Sequence, residues 1–381
     1  MTSLTLVLGV QPGMRGRWLG RIAEAWALPL LALTVALLAF GAFLAACGVN
    51  PLAAAALIWR GAFGTWFSWQ NTLQKASPLL LTGLAMALPA RVGLMVIGGE
   101  GALVIGGLAC AVIGPTLAGL AGSAGGALLA QALMLAGGMA AGALWLMIPG
   151  ALRFWRGVNE TISSLLLNTI AIALMNQLVE GVLRDPLSLN KPSTVPLAPG
   201  LMLGQIPGLS VHVGLAFGLV LCVAAGVLMQ RTSFGFAASV NGGNPRAAQM
   251  VGIDVGRLIL IACALAGASA GLAGAVEVAA VQGSATASLA AGYGYSGILV
   301  AFLARHNPFA IIPVALLLGG IAASDGLLQR HLDLPDATVA VLQGFVFIAV
   351  LAAETFSGRL RLRCRLWLPL PLSLRGEPRD G

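Results

Sequence analysis

Residues 257–280 read RLILIACALAGASAGLAGAVEVAA. Between Arg257 and Glu277 no acidic or basic side chain occurs. As an α-helix that run extends about 28 Å, close to the hydrocarbon thickness of a bilayer. Gly267, Gly271 and Gly274 recur at helical spacing within it, and such small residues let membrane helices approach closely. The same reading, carried along the chain between polar or proline-bearing breaks, gives ten expected spans: 25–47, 72–90, 93–118, 124–150, 159–181, 210–229, 257–280, 290–304, 307–323 and 336–355. The eighth and ninth are short, which fits tilted, broken or re-entrant segments.

Composition agrees. Of 381 residues, 58% are hydrophobic and 9% charged, with a mean hydropathy of +0.93. A soluble globule cannot hide that much apolar surface, and a disordered chain does not carry it. Five cysteines without paired spacing, four of them (Cys47, Cys110, Cys222 and Cys263) inside apolar runs, exclude a disulfide scaffold. The expected fold class is an all-α integral membrane protein with about ten transmembrane helices.

The formal net charge is +8. Most arginines flank apolar runs, where they meet anionic lipid headgroups, so membrane lipids rather than nucleic acid are the expected partner. With the N-terminus inside and ten crossings, the inner segments hold Arg15, Arg17, Arg21, Arg91, Arg153, Arg156, Arg231, Arg246, Arg257, Arg305 and the six arginines after residue 358, sixteen in all. The outer segments hold five, Arg60, Lys75, Arg184, Lys191 and Arg330. That asymmetry predicts cytoplasmic N- and C-termini. The expected organisation is a cytoplasmic segment 1–24, a polytopic transmembrane domain 25–357 and a basic cytoplasmic tail 358–381. Leu44-Ala45-Ala46-Cys47-Gly48 resembles a lipoprotein cleavage site, but the apolar run from Ala27 to Cys47 exceeds a signal core and reads as an uncleaved first span.

Two loops exceed what a hairpin needs. The outer loop 182–209 carries Pro186, Pro192, Pro196, Pro199 and Pro207 and cannot continue a helix. The inner loop 230–256 contains Asn241-Gly242-Gly243, read as a turn, followed by Asn244 as N-cap and Pro245 at the first helical position. A short alanine-rich helix then ends near Gly252. Such a pre-formed helix is a candidate docking knob for a cytoplasmic partner.

Catalytic chemistry is sparse. The two lysines, Lys75 and Lys191, follow no phosphate-binding glycine loop, so ATP hydrolysis by that route is excluded. His212, His306 and His331 are scattered and form no metal-ligand spacing. Along a continuous helix, Glu100 lies nine residues past Arg91 and Asn168 nine past Asn159, each about 13 Å deep. The same measure puts Glu180 and Glu277 at the outer surface and Glu354 at the inner one. Glu100 is then the single acid expected within the membrane, facing either a path or the bundle interior.

Four stretches in order resemble the integral-membrane permeases of bacterial ABC importers for nucleosides and simple sugars, related to the ribose and branched-chain amino acid permeases. They are Ile97-Gly98-Gly99-Glu100-Gly101; Val158-Asn159-Glu160 through Leu167-Asn168; Gly242-Gly243-Asn244-Pro245-Arg246-Ala247-Ala248 with Gly252-Ile253; and Gly292 through Ile298 with Asn307-Pro308. Val96 stands where that family usually has Asn and Ser296 where it usually has Asp. The resemblance implies a homo- or heterodimeric permease in the bacterial inner membrane, with cytoplasmic ATP-binding subunits and an external substrate-binding protein or lipoprotein. It implies no cofactor or metal on this chain, ATP being hydrolysed by the partners. Glu100, Asn168 and Tyr295 are the expected path residues; Asn244, Pro245, Ala247, Ala248, Gly252 and Ile253 are the expected coupling residues. The alternative is a proton-coupled secondary transporter of a small neutral solute, with Glu100 carrying the proton.

Overall fold

A computed structural model describes residues 31–188, 191–335 and 337–367, with residues 354–367 described by backbone alone. The expected N-terminal segment 1–24, its arginines and the tail from residue 368 lie outside the described residues, as do the side chains of Glu354 and Arg359 through Arg365. The described chain is helical, with isolated β-bridges in place of strands. In order the helices are α1 (Leu31–Ala46), α2 (Pro51–Phe63), α3 (Trp66–Arg91), α4 (Gly99–Thr116), α5 (Ala124–Arg156), α6 (Glu160–Glu180), α7 (Gly214–Arg231), α8 (Ser233–Gly243), α9 (Pro245–Met250), α10 (Val255–Val276), α11 (Tyr293–Leu303), α12 (Pro308–Ala323), α13 (Asp325–Leu332) and α14 (Ala337–Trp367). Among the described residues, six segments are long and apolar enough to cross a membrane: α4, α5, α6, α7, α10 with its continuation to Gln282, and α12 with α13.

Residues 49–343 form one compact unit, and the described residues before and after them, 31–48 and 344–367, form a second. In the second, Phe43 of α1 and Phe345 of α14 bring their rings to 6.2 Å between centroids. In the first, α3, α4 and α5 pack around α10. Glycine makes that possible. A Cβ built on Gly274 would run into the Leu103 carbonyl, one on Gly106 into the backbone of Gly271, and one on Gly267 into the Gly142 carbonyl. Three backbones therefore meet with no side chain between them, the small-residue packing that lipid-embedded helices use. Away from this seam, α5 and α6 expose Leu128, Leu144, Leu166 and Ile170, an apolar surface suited to lipid.

The chain departs from the expected spans in three places. Residues 51–63, left in an outer loop, form α2, started by Asn50, whose side chain accepts from the Leu52 amide, and by Pro51. The expected span 93–118 is not a continuous helix, because residues 92–98 turn and then extend before α4 opens at Gly99. Asn241-Gly242-Gly243 is the end of α8 rather than a free turn. The eighth and ninth spans are short: α11 has 11 residues and α12 has 16. At 1.5 Å per residue, α11 reaches about 16 Å, half a bilayer. The loop 182–209, expected on the outer side, is irregular, but it folds back onto the core, where Leu197 and Leu201 are buried.

Basic residues gather at opposite ends of the 49–343 unit. At one end Arg91 donates from Nε to the His306 carbonyl (3.1 Å), beside Arg305. Asn241 there donates to the Val92 carbonyl (2.8 Å). Arg153 pairs with Glu160 at 3.4 Å, and Phe154 packs against Gly256 beside Arg257. At the other end Ser193 bridges to Thr286, Lys191 donates to Ser288, and Arg60 and Arg330 line one cleft.

The seam predicts an asymmetric response to added volume. Gly274→Val should lower the thermal unfolding temperature of the purified protein, consistent with an overpacking cost of about 1–3 kcal/mol. Gly125→Val, where a Cβ meets nothing within 4 Å, should leave it unchanged. Equal unfolding temperatures for the two variants would contradict the packing account.

Candidate functional site

Helix α4 starts inside the bundle, so its first backbone N–H groups need partners that are not water. The stretch before it runs along α6. Thr161 Oγ1 donates to the Met95 carbonyl (2.8 Å), and the Ile97 amide donates to Ser164 Oγ (2.9 Å). Asn168 completes the series. Its Nδ2 donates to the Ile97 carbonyl and its Oδ1 accepts from the Gly101 amide, both at 2.7 Å. Asn168 is fully buried. It closes the break between the extended segment and α4, and with Ser164 it sets Ile97 to Gly101 level with the second and third turns of α6.

Glu100 does the same for α11. Its Oε1 accepts from the Gly292 amide (2.8 Å) and its Oε2 from the Gly294 amide. Glu100 is 1% exposed and stands in the first turn of α4. One carboxylate thus sits between two helix N-termini, where the positive ends of both macrodipoles favour it. Glycine is required opposite: Gly292 holds φ +82°, and a Cβ on Gly294 would strike the Glu100 backbone. The expected depth of Glu100 counted nine helical residues from Arg91, and that route fails because residues 92–98 are not helical. Glu100 reaches the level of Asn168 along α6 instead.

Of the three expected path residues, Glu100 and Asn168 are brought together by this join and have their side-chain oxygens engaged by backbone amides. Tyr295 stands apart, 43% exposed on α11. Ser296 donates to Gln343 of α14 at 3.2 Å.

A second polar group went unread in the sequence. Lys75, within α3 and exposed, donates from Nζ to the Tyr293 hydroxyl (3.2 Å) and lies 5.7 Å from the centre of that ring. Glu277 interacts electrostatically with Lys75 and hydrogen-bonds with Gln282. It opens a π-type turn, Glu277–Gln282, at the end of α10; such widened turns occur often at functional sites. Glu277 is buried at 9% exposure, directly after the last residue of α10. The available signal was Lys75 itself, a lysine three residues inside an expected span that was counted with the loop charges.

At the arginine-bearing end, Asn244 Oδ1 accepts from the Arg246 (3.0 Å) and Ala247 (3.2 Å) amides and starts α9, with Pro245 first in the helix. Gly252, at φ +83°, ends the element, and the Ile253 amide donates to the Ala248 carbonyl (3.0 Å). Both ends of this single-turn element are therefore capped. Ala248 is fully buried and Ala247 half-buried, whereas Met250 and Val251 are 84% and 73% exposed. The adjoining turn holds Arg305 and His306 at φ 51° and 53°, a left-handed strain for both. Burial and the neighbouring Arg91 hold the His306 imidazole below its ordinary pKa, so it is neutral at pH 7.

Among the described residues no cluster of His, Cys, Asp or Glu could hold a metal ion. The geometry builds a membrane bundle with two internally sealed helix breaks, a charged group on an exposed face and a rigid knob at one end.

Comparison with known proteins sets this arrangement in context. Residues 68–351 match the family described as branched-chain amino acid transport system / permease component. A glucose ABC transporter permease protein of Haloferax volcanii is 32% identical over 347 residues, 87% of this chain and 88% of its own length. A guanosine ABC transporter permease protein of Bacillus subtilis is 30% identical, over 84% and 92% of the two chains. A nucleoside ABC transporter permease protein of Lactococcus lactis is 26% identical, over 76% and 80%. No solved structure matches the chain.

The helix joins predict a stability phenotype. Asn168→Leu removes the buried partner of two backbone groups and should cost about 1–3 kcal/mol per unsatisfied group. Glu100→Ala should destabilise comparably. Both should show lower folded yield and earlier thermal unfolding in detergent; wild-type unfolding curves for both would refute the capping roles.

Proposed function

The chain belongs to the family of branched-chain amino acid transport system permease components, and from that premise we propose that it forms the transmembrane path of an ATP-binding cassette importer for nucleosides or related simple sugars. The solutes named for its relatives support that class. The observation that carries the coupling role is α9, a doubly capped knob held at the arginine-bearing end and presenting Met250 and Val251.

In this reading the chain crosses the bacterial inner membrane about ten times through a domain spanning 25–357, with both termini in the cytoplasm. The gathering of Arg91, Arg153, Arg231, Arg246, Arg257 and Arg305 at one end supports that end as the cytoplasmic one. ATP-binding subunits dock against α9 there, and ATP is hydrolysed on those subunits. Asn244, Pro245, Gly252 and Ile253 hold the knob's shape, Ala248 anchors it to the bundle, and Ala247 lies at its rim. When the ATPases close, a push on a rigid knob is transmitted as rigid-body motion of packed helices. A second permease subunit completes the path, and an external binding protein or lipoprotein delivers the solute. Tyr295 contacts solute, while Glu100 and Asn168 keep the path wall in shape. The proton-coupled alternative needs an acid free to load and release a proton; the engagement of both Glu100 oxygens by backbone amides weighs against it.

The knob separates docking from folding. Met250→Glu and Val251→Glu should abolish ATP-dependent uptake in vesicles and reduce co-purification of the ATPase, with folded yield unchanged. Ala248→Glu should reduce folded yield itself, because that methyl is buried. Normal uptake and ATPase recovery in the Met250 and Val251 variants would reject the coupling role.

A further inference from the structure

Lys75 lies nine residues into α3, about 13 Å from the helix start and deeper than the interface aromatics Trp66 and Trp69. From Ala76 to Pro89 the helix is buried throughout, yet Lys75 itself is exposed. An exposed ammonium at that level is costly against lipid, so this face meets water or a polar partner. The group is also connected. Lys75 donates to Tyr293, and Glu277 and Asp325 attract it. Glu277 is hydrogen-bonded with Gln282. Gln282 Oε1 accepts from Thr286 (3.3 Å) and Ser288 (3.4 Å), and Ser288 accepts from Lys191 (3.3 Å). Hydrogen-bonded side chains thus run from Lys191 of the 182–209 loop through Ser288 and Thr286 to Gln282, which closes the turn that Glu277 opens.

The donors and acceptors of Lys75, Glu277 and Tyr293 have a definite chemical match. An ammonium supplies donors only, a carboxylate acceptors only, and a phenol either. Neighbouring hydroxyls on a sugar ring need both kinds side by side.

We propose that Lys75, Glu277 and Tyr293 form a solute subsite on the path for the vicinal hydroxyls of a neutral sugar or the sugar part of a nucleoside. Lys75 donates to the oxygen of one hydroxyl, Glu277 accepts from the adjacent hydroxyl, and Tyr293 orients Lys75. The inference rests on the permease reading above.

The test uses the complete transporter, with its ATPase and binding protein, in proteoliposomes. Lys75→Met and Glu277→Gln should lower maximal ribonucleoside uptake roughly tenfold, the effect of deleting one charge-assisted hydrogen bond. The half-saturating concentration should stay where the binding protein sets it, co-purification of the ATPase should be unchanged, and Lys75→Arg should restore most of the rate. A preference for a ribonucleoside over its 2′,3′-dideoxy analogue, each saturating, should collapse toward equality in Lys75→Met. Should Lys75→Met fail to assemble, Lys75→Gln is measured in its place. Wild-type rates, or an intact preference in the Lys75 and Glu277 variants, overturn the subsite. Wild-type uptake that proceeds without ATP would instead sink the permease reading, so the two failures are distinguishable.

Discussion

A helix that begins inside an apolar bundle carries backbone N–H groups that no water can satisfy, and this fold has two such beginnings side by side. Each unsatisfied group costs up to several kcal/mol in an apolar medium. The protein meets both with side chains from neighbouring elements. Asn168 of α6 ties the extended stretch at Ile97 to the first turn of α4. Glu100 of α4 ties that turn to the start of α11. The two joins share a short segment, Gly99 to Gly101, so α4, α6 and α11 are fixed to one another at a single level. Removing either join leaves the other holding a helix end with no correct position.

The glycine seam around α10 has a complementary role. With the backbones of α4, α5 and α10 in direct contact, the seam between these helices has little side-chain volume to rearrange, and they pack as one body. Movement is then confined to how that body sits against what surrounds it. This suits a path-forming subunit driven from one end by a capped, protruding turn. The exposed charge on α3 occupies a different part of the same unit and contributes nothing to the seam.

Much of this was legible in the sequence. The membrane class, most helix positions, and the Asn244-Pro245 start and Gly252 end of α9 follow from local chemistry, which is the same in any fold. The irregular outer loop follows from its prolines. What escaped depended on contacts between distant segments. Residues 92–98 are apolar enough to read as helix, and polar side chains of α6, with Asn241 of α8, hold them in an extended path. Glu100 was visible as a costly acid, but its partners are amides nearly two hundred residues away, which no spacing rule reaches. Glu277 was read by its position along the helix, and its burial comes from packing that such a count does not give. Residues 51–63 were passed over because a run of 13 residues is too short to register as a span.

The central claim is a division of labour in which this chain supplies the path and its partners supply the energy. Concentrative uptake in sealed proteoliposomes tests it directly, comparing this chain with its permease partner against the same pair with ATPase subunits, binding protein and internal ATP. The account predicts accumulation of a labelled nucleoside or sugar in the complete assembly, abolished by a non-hydrolysable ATP analogue and unaffected by collapsing the proton gradient. Uphill accumulation by the permease chains alone, following an imposed proton gradient, would contradict it.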